Sequence, residues 1–448
     1  MSANSSFLER FFDLSGHNTD TKTEVIAGVT TFLTMGYIIA VNPMILSDAG
    51  MDKGALITAT CLAASFSCIL MGLYANLPLA LASGMGLNAF FAYSVCIGMK
   101  VPWQVALAAV FVEGIIFIIL TLTNVREKVV NAIPLALKVA VSAGIGFFIA
   151  FIGMNNAKLV VAHKVTLVTL GHFTDPRVLI CLFGLLLTAV MMQRGIKGAI
   201  LWGILACTLL AWGYGYYIGP QAAAKVGIYL PSGAVEVKSI APIFAKLSFQ
   251  GVTFWAFLPI VITLLFVDFF DTVGTLVGVA TKAKMLDKEG NFPGARKALL
   301  VDAVGTTAGA VLGVSTVTTY VESAAGVAEG GRTGLAAVVS GVLFFVAMFF
   351  SPIVMAIPAC ATAPALILVG YLMMQSLGEV DLFDYGSAIP AFLTIIVMPL
   401  TYSIANGLIF GVTTFAILNI LGGRSKRVSW TLRILAVLFI IRLVYFPE

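Results

Sequence analysis

The sequence predicts an all-α membrane protein that crosses the bilayer many times. Of its 448 residues, 60% are hydrophobic and only 10% are charged, whereas a typical soluble domain carries about 25% charged residues. Continuous apolar stretches of about 20 residues recur along the chain, which is the length that an α-helix needs to cross a bilayer. The stretches lack the alternation of apolar and polar residues that is typical of a membrane β-barrel. We therefore expect a polytopic helical protein.

The apolar segments form two sets of seven. The first set lies near 25–47, 55–75, 79–98, 103–123, 138–154, 178–193 and 198–218, and the second near 254–280, 298–314, 315–328, 333–350, 359–374, 388–402 and 404–421. An odd number of crossings in each set turns the second set upside down relative to the first, which is the inverted-repeat arrangement of many secondary transporters. A last apolar stretch, 430–446, contains Arg433 and Arg442 and could be a further span or a helix at the membrane surface.

The distribution of positive charge predicts the orientation of the chain. If every span crosses the membrane once, several connections that contain basic residues lie on the same side of the membrane. They include Arg126, Lys128 and the stretch 282–297. Such residues are retained on the cytoplasmic side, so we expect a cytoplasmic N-terminus in a cell (inner or plasma) membrane. The first 22 residues lack the apolar core of a cleavable signal peptide. No dense basic patch favours nucleic acid as a partner.

Cysteine and histidine give no sign of a metal site. The six cysteines lie mostly in apolar segments without a Cys-x-x-Cys pair, and the three histidines fall in predicted connections. We expect the cysteines to act as small apolar residues, and we expect no metal or other cofactor.

The third segment of each set is interrupted by small and polar residues. The first interruption contains GMGLNAFF at 84–91, and the second contains GVSTVTTYVE at 313–322. The β-branched run 314–321 favours extended backbone over helix. Such backbone is tolerated at membrane depth only where it is buried in protein or lines a cavity. Two interrupted segments at matching positions therefore indicate a binding site near the middle of the membrane.

Carboxylates accompany these interruptions at membrane depth. Asp268 and Asp271 stand three residues apart in the eighth segment, and hence on one face of a helix, while Glu322 ends the second interruption. A carboxylate at the bilayer centre costs about 2.5–3.5 kcal/mol on insertion scales. No Lys or Arg lies at comparable depth to form a structural ion pair. We therefore assign these acids to function and expect at least one to hold a proton at neutral pH.

The polar side chains of this region suit a flat heteroaromatic ligand. Carboxylates accept from ring N–H groups, an amide both donates and accepts, and phenylalanine stacks on rings. The candidate ligand-binding residues are Gly86, Leu87, Asn88, Phe90, Asp268, Asp271, Thr272, Thr275, Thr319 and Glu322. Structural alternatives exist, because Asn88 could join two helices and the threonines of the eighth segment could bond to their own helix.

Three further acids have a structural interpretation. We expect Glu113 to make an interhelical contact or to lie at the lipid edge. We expect Asp302 to cap its helix or to pair with the basic stretch 282–297, and Glu329 to pair with Arg332 nearby.

Seven motifs are spread over the whole chain. They are TEVIAGVTTFLTM at 23–35, VNP at 41–43, GMGLNAFF at 84–91, NAIP at 131–134, FFDTVGT at 269–275, YVESAAG at 320–326 and GGRTGL at 330–335. Together they resemble the nucleobase–cation symporter-2 superfamily, specifically its AzgA-like branch of adenine, guanine and hypoxanthine permeases.

The resemblance implies a fold of fourteen spans in a 7+7 inverted repeat, with short strands in spans 3 and 10 and with core and gate domains. The implied division is an N-terminal segment at 1–22, a core at 23–137 and 251–350, a gate at 138–218 and 351–448, and an extracytoplasmic loop at 219–250. The gate domain of relatives also suggests a homodimer.

The resemblance further implies how the substrate is held. In related permeases the base lies between the two strands, held by acids of spans 8 and 10, which match Asp271 and Glu322, and Asn88 matches the asparagine of span 3. The implied activity is import of a purine base with a proton as the coupling ion. Thr275 departs from the uracil- and xanthine-transporting relatives, which place an ionisable residue there, so proton coupling is expected at Asp268, Asp271 or Glu322.

Three other functions stay open from the sequence. A uracil or xanthine permease of the same superfamily is a close alternative. A passive channel would line a continuous pore with like charges or carbonyl groups, whereas the acids here cluster at one place. A membrane enzyme would need a nucleophile–base pair or metal ligands, which the sequence does not offer.

Overall fold

The computed structural model describes residues 7–123, 134–282, 292, 294–381 and 383–445. The described chain is almost entirely helical. The helices are α1 (Phe7–Phe12), α2 (Thr21–Met35), α3 (Ile38–Ser47), α4 (Lys53–Leu70), α5 (Met85–Ala89), α6 (Trp103–Leu122), α7 (Leu135–Asn156), α8 (Pro176–Gln193), α9 (Ala199–Ile218), α10 (Pro220–Lys225), α11 (Phe254–Lys282), α12 (Ala295–Leu312), α13 (Ser323–Ala328), α14 (Gly334–Ala347), α15 (Ser351–Met355), α16 (Ala359–Met374), α17 (Tyr385–Thr401), α18 (Ile404–Leu421) and α19 (Trp430–Tyr445). The strands are β1 (Leu81–Ser83), β2 (Val160–His163), β3 (Leu167–Leu170) and β4 (Val317–Thr319).

Short irregular helices complete these elements. Helix α4 continues as a π-helical turn over Met71–Ala75, and α5 continues as a π-helix over Phe90–Gly98. Turns of 3-10 helix lie at Ser15–His17, Gln375–Glu379 and Ser425–Arg427.

Many of the helices have the length and composition of membrane spans. Within the described residues, six helical stretches are long and apolar enough to cross a bilayer, at Thr21–Ser47, Lys53–Ala75, Trp103–Leu122, Ala136–Asn156, Pro176–Gln193 and Ala199–Ile218. Five shorter apolar helices lie at Met85–Gly98, Gly334–Ala347, Ala359–Met374, Tyr385–Thr401 and Asn406–Leu421. The total of fourteen crossings and the inverted repeat stay predictions.

The helices pack in two groups. The first group consists of α2 to α6, α11 to α14 and the strands β1 and β4, and the second consists of α7, α8, α9, α16, α17 and α18, with α19 against α18. Between the groups, α7 packs on α5 and α11, α9 packs on α2, and α16 packs on α3. The predicted roles of the groups as core and gate domains stay a prediction.

The two interrupted segments meet inside the first group. Strands β1 and β4 pair antiparallel, with Leu81 opposite Thr319 and Ser83 opposite Val317. The pairing continues beyond the strands, because Gly84 N donates to Thr316 O at 2.9 Å. The short strands predicted for both segments are therefore present, and their backbone groups satisfy each other as buried backbone requires.

Helix α7 has two different faces. Its glycines pack on the second group: a Cβ at Gly144 would lie 2.6 Å from Met398 Sδ, and one at Gly146 would lie 2.5 Å from Gly370 O. Its large apolar residues are buried in the main hydrophobic core together with the first group; they are Val141, Ile145, Phe148, Ile149 and Ile152. We call this set the α7 stripe. Close backbone approach holds α7 against α16 and α17, whereas the stripe lies in the main core, which contains residues of both groups.

Two features were not predicted from the sequence. Span 1 is interrupted between α2 and α3 at Gly36 and Tyr37, and the connection after α7 forms the hairpin β2–β3. The sequence left the placement of the stretch 430–446 open. Its described residues form α19 (Trp430–Tyr445), which buries Leu432 and Ala436 against α18 and exposes Trp430.

Candidate functional site

Asn88 is anchored at the junction of the two interrupted segments. Its side chain is fully buried, and its Oδ1 accepts from the hydroxyl of Ser83 at 2.8 Å and from that of Ser315. Within the described residues, its Nδ2 has no hydrogen-bond partner. A buried N–H donor without a partner is costly, so this amide group is available to an acceptor on a bound ligand.

Two buried carboxylates share one threonine beside the strands. Thr272 Oγ1 lies 3.0 Å from Asp302 Oδ2 and 3.5 Å from Asp268 Oδ1. Asp302 Oδ1 also accepts from Thr319 Oγ1 at 3.3 Å. Asp268, Thr272 and Asp302 are fully buried. Helices α11 and α12 and strand β4 thus contribute to one polar network, which we call the acid network (Asp268, Thr272, Asp302 and Thr319).

A tyrosine of span 1 forms a hydrogen bond with Glu322. The Tyr37 hydroxyl donates to Glu322 Oε1 at 2.7 Å, and Tyr37 is only 1% exposed. The break between α2 and α3 places Tyr37 directly before the first residue of α3. An interruption that sequence reasoning overlooked therefore positions a predicted ligand-binding acid.

A further buried acid contacts the strand pair. Glu113 Oε2 on α6 accepts from Thr316 Oγ1 at 3.2 Å, and Glu113 is fully buried. A Cβ at the neighbouring Gly114 would lie 2.4 Å from Thr307 Oγ1 of α12, so the two helices cross closely here. Glu113 thus joins α6 to the second interrupted segment; because it is fully buried, the alternative of a lipid-edge position is wrong.

Two structural interpretations from the sequence need correction. Asp302 does not cap α12, because α12 begins at Ala295 and Asp302 lies two turns inside it, in the acid network. Its predicted pairing with the basic stretch 282–297 stays a prediction, since most of that stretch lies outside the described residues. Glu329 forms its ion pair with Lys197 rather than with Arg332. Arg332 instead donates through Nη1 to the carbonyl groups of Val327 and Gly331, both at 2.7 Å.

The remaining predicted residues lie on the same elements. Leu87 and Phe90 are buried in the main apolar core, and Thr275 is partly buried. Gly86 packs on Ile145 of the α7 stripe. Asp271 lies on α11, and its side chain falls outside the described residues. Ligand contacts of all these residues stay predictions.

The acid network differs from the ion pairs of the chain. In the part that the structure describes, ion pairs join residues at helix ends and in connections, such as Asp175 with Arg177 and Asp384 with Arg424 and Arg427. Asp268, Asp302 and Glu113 instead have threonine hydroxyl groups among their partners. No cluster of three or more His, Cys, Asp or Glu residues suited to a metal occurs among the described residues.

Sequence reasoning missed Asp302 and Tyr37 as site residues for identifiable reasons. Because span 9 was predicted to start at 298, Asp302 was placed near the end of a helix. Asp268 was selected as an acid at membrane depth, and the same criterion would have selected Asp302. For Tyr37 the signal was the Gly36-Tyr37 pair in the middle of a long apolar stretch.

Comparison with known proteins gives the site its context. The sequence model of the permease family Xan_ur_permease matches residues 22–410. A putative permease of Methanocaldococcus jannaschii is 50% identical over 440 residues, which are 98% of both chains. The adenine permease AdeP of Escherichia coli is 43% identical, covering 98% of this chain and 96% of the relative. The guanine/hypoxanthine permease PbuG of Bacillus subtilis is 43% identical, covering 98% and 99%.

A solved membrane transporter has a fold similar to that of this chain. The transmembrane domain of the cyanobacterial bicarbonate transporter BicA matches with a TM-score of 0.65, covering 86% of this chain and 97% of its own at 14% identity. At this identity the likeness shows the fold alone. The sequence matches above confirm the family resemblance predicted from the motifs. The protein is a multi-pass membrane permease rather than an enzyme, and it belongs to the Xan_ur_permease family.

Proposed function

We propose that this permease imports purine bases (adenine, hypoxanthine or guanine) by proton symport across a cell membrane, with its N-terminus in the cytoplasm. Support for purines comes from the relatives named adenine permease and guanine/hypoxanthine permease, each 43% identical over nearly the whole chain. No resident cofactor takes part; the coupling ion is the proton.

The observation that carries the proposal is the position of Thr272 between two buried carboxyl groups. A hydroxyl has one proton to donate, so Thr272 donates to one acid at a time. The other acid can form a hydrogen bond with the same threonine when it is protonated, because its O–H group then donates to the threonine oxygen. Two neighbouring buried carboxylates also resist simultaneous ionisation. The acid network therefore suits storage of one proton that can leave and return during transport.

Base recognition uses groups on both interrupted segments. Asn88 Nδ2 donates to a ring nitrogen or carbonyl oxygen of the base, since its Oδ1 is already occupied by Ser83 and Ser315. Glu322 accepts from a ring N–H through the oxygen that Tyr37 leaves available. Asp271 supplies a second acceptor, as its sequence motif predicts. The edges of a purine offer both the acceptors and the ring N–H groups that these side chains require.

Transport requires that the site open alternately to each side. The first group of helices carries the acids and the strand pair, and the α7 stripe is buried in a core that contains residues of this group. We propose that the first group moves as the core along the second group as the gate, taking base and proton together. A homodimer formed through the second group would hold the gate still.

Uptake by the purified protein in proteoliposomes tests the proposal. Labelled adenine, hypoxanthine and guanine should accumulate when an inward proton gradient is imposed, and a protonophore should abolish accumulation. Glu322→Gln and Asp271→Asn should each remove uptake, while Glu236→Gln, which changes an exposed residue paired with Lys238 in the same connection, should retain it. Unchanged uptake in the first two variants would overturn the assignment of the site.

Competition with unlabelled xanthine and uracil separates the nearest alternative. A Schizosaccharomyces pombe relative named as a putative xanthine/uracil permease is 38% identical over 447 residues. Preferential inhibition by xanthine or uracil would favour that substrate class. Equilibration of the base without accumulation would favour a passive channel.

A further inference from the structure

We propose that a cluster of aromatic rings closes the permease at the end of the molecule where α3, α7 and α17 terminate, and that the rings separate in each transport cycle. The cluster, which we call the aromatic latch, consists of Tyr93, Phe148, Phe151 and Tyr402. This inference rests on the proposed function, because it takes the two groups of helices to move relative to each other.

The aromatic latch contains rings from both groups of helices. Tyr93 lies in the π-helix that continues α5 of the first group, whereas Phe148 and Phe151 lie on α7, and Tyr402 directly follows α17 in the second group. The ring centroid of Tyr93 lies 5.8 Å from that of Tyr402 and 6.4 Å from that of Phe148, with interplanar angles of 84° and 86°. Such edge-to-face contacts stabilise a pair of rings beyond the area that they bury. Tyr93 therefore joins the two groups through its ring.

Each half of the latch is held by its own group. In the first group the Tyr93 hydroxyl donates to Oδ2 of Asp48, the residue after α3, at 2.7 Å. In the second group the Tyr402 ring also meets Phe148 and Phe151 edge to face, with centroids 5.3 and 5.7 Å apart. Tyr93 is 8% exposed and Phe148 is fully buried, so the two halves are packed together. Two preformed surfaces of this kind can part and meet again as units, as in the sliding of packed helices.

The latch lies between the candidate site and one end of the molecule. Asn88 and Tyr93 stand five residues apart on one continuous helix. With a rise of about 1.5 Å per residue, the latch lies about 8 Å beyond Asn88 along the helix axis. Helix α3 likewise leads from Tyr37, the partner of Glu322, to Asp48 at the latch. With a cytoplasmic N-terminus, as proposed, α2 and α3 cross the membrane once and this end is extracytoplasmic. A base that enters from outside then has to pass the latch.

Cross-linking across the latch tests whether its rings separate. Tyr93→Cys with Tyr402→Cys joins the two groups, whereas Phe151→Cys with Tyr402→Cys places the link inside the second group. The original rings of these pairs have centroids 5.8 and 5.7 Å apart, so the pairs are matched in separation. Both are made in a Cys96→Ser background, because Cys96 is a partly buried thiol on the same π-helix as Tyr93. The reagent is a short bifunctional methanethiosulfonate, which a reductant removes.

We expect the link between the groups to stop base uptake in proportion to the cross-linked fraction, and the reductant to restore it. The link inside the second group should leave uptake unchanged. Binding of labelled adenine to the solubilised, cross-linked protein should persist, because a closed latch leaves the opposite end able to open. Loss of binding together with uptake would show that the link damages the site and would overturn the inference.

A second pair keeps the test decisive. Tyr93→Cys with Phe148→Cys also links the two groups, its original rings have centroids 6.4 Å apart, and it serves if the first pair fails to fold. Full uptake with a complete link between the groups, or equal loss with the link inside the second group, would overturn the inference. If the wild-type protein takes up no purine at all, the proposed function itself fails, which is a different result.

Discussion

The two groups of helices differ in where they keep their charge. In the first group Glu24, Glu113, Asp268 and Asp302 are all fully buried. In the second group the six helices α7, α8, α9, α16, α17 and α18 contain no acidic residue. The acids Asp175 and Asp384 stand next to those helices, in ion pairs with arginines. The described buried acids of these helices thus belong to one group, and we expect the proton chemistry of the proposed function there.

The partners of the buried acids sharpen this comparison. An ion pair with arginine holds a carboxylate in its charged form, whereas a hydroxyl can donate to the charged form and accept from the protonated form. Asp268, Asp302 and Glu113 have threonine hydroxyl groups as partners. Glu24 instead accepts from the backbone N–H groups of Arg332, at 2.7 Å, and Ala336, at 3.2 Å. Glu24 thus ties α2 to the start of α14, which is a structural use of a buried acid.

The largest effect is expected from Asp302→Asn. The amide oxygen can still accept from Thr272 or Thr319, but the group no longer binds or releases a proton. Because the site has lost a titratable group while these hydrogen bonds remain, the stimulation of base uptake by an imposed pH gradient should be lost. The measurement is the initial rate of base uptake as a function of imposed pH gradient.

Glu24→Gln is the matched control for that variant, because Glu24 is equally buried in the same group. It should lower the unfolding temperature through loss of contacts at the start of α14 while keeping the pH dependence of uptake. Equal loss of pH dependence in both variants would show that buried charge in general, rather than the acid network, governs coupling.

Tyr37→Phe should weaken substrate binding. Loss of the 2.7 Å hydrogen bond to Glu322 frees the carboxylate to adopt other orientations, and one such bond corresponds to about tenfold in affinity. We expect the KM for the base to rise about tenfold with a smaller change in maximal rate. Tyr93→Phe removes a hydroxyl that donates to Asp48 Oδ2 at 2.7 Å, outside the acid network, and should leave the KM unchanged. The reverse ranking would contradict the role given to Tyr37.

Gly146→Ala tests the packing of helices inside the second group. A Cβ there would lie 2.5 Å from the carbonyl oxygen of Gly370, so α7 and α16 must separate, at a cost of about 1–3 kcal/mol. We expect a lower unfolding temperature by scanning fluorimetry. Gly213→Ala on α9 places a methyl group where no atom lies within 4 Å and should be neutral. Similar melting curves for both variants would show that the contact between α7 and α16 tolerates a methyl group.

The smallest effect is expected at Asp384, and it depends on pH. Hydrogen bonds from Arg427 and then Arg424 hold the pKa of Asp384 at about 2, below its usual 3.8. A carboxyl with a lowered pKa in the folded state contributes stability that is fully present above its usual pKa and is lost as the pH falls toward the lowered value. Asp384→Asn should therefore lower the unfolding temperature slightly at pH 7, and the difference from wild type should shrink below pH 4. A difference that persists at low pH would place the effect in packing rather than in charge.

The sequence was sufficient for those parts of the fold that depend on local pattern. Apolar stretches located the helices to within a few residues, and the β-branched run 314–321 indicated the strand that forms at Val317–Thr319. The sequence pattern could not predict contacts between segments that are distant along the chain. Nothing in the local pattern shows that Thr272 lies between Asp268 and Asp302, or that Tyr37 reaches Glu322 across 285 residues. Such contacts depend on how helices cross, which is fixed by close-packing glycines such as Gly114 rather than by the acids themselves.

The most direct test of the account is proton movement that accompanies base uptake. Wild-type proteoliposomes without an imposed gradient are given adenine, hypoxanthine or guanine, and the external pH is followed with a dye. The account predicts alkalinisation outside the vesicles in step with uptake, and its loss in Asp302→Asn. Base uptake by the wild-type protein without proton movement, or full proton movement in Asp302→Asn, would contradict the claim that the first group of helices carries the coupled proton.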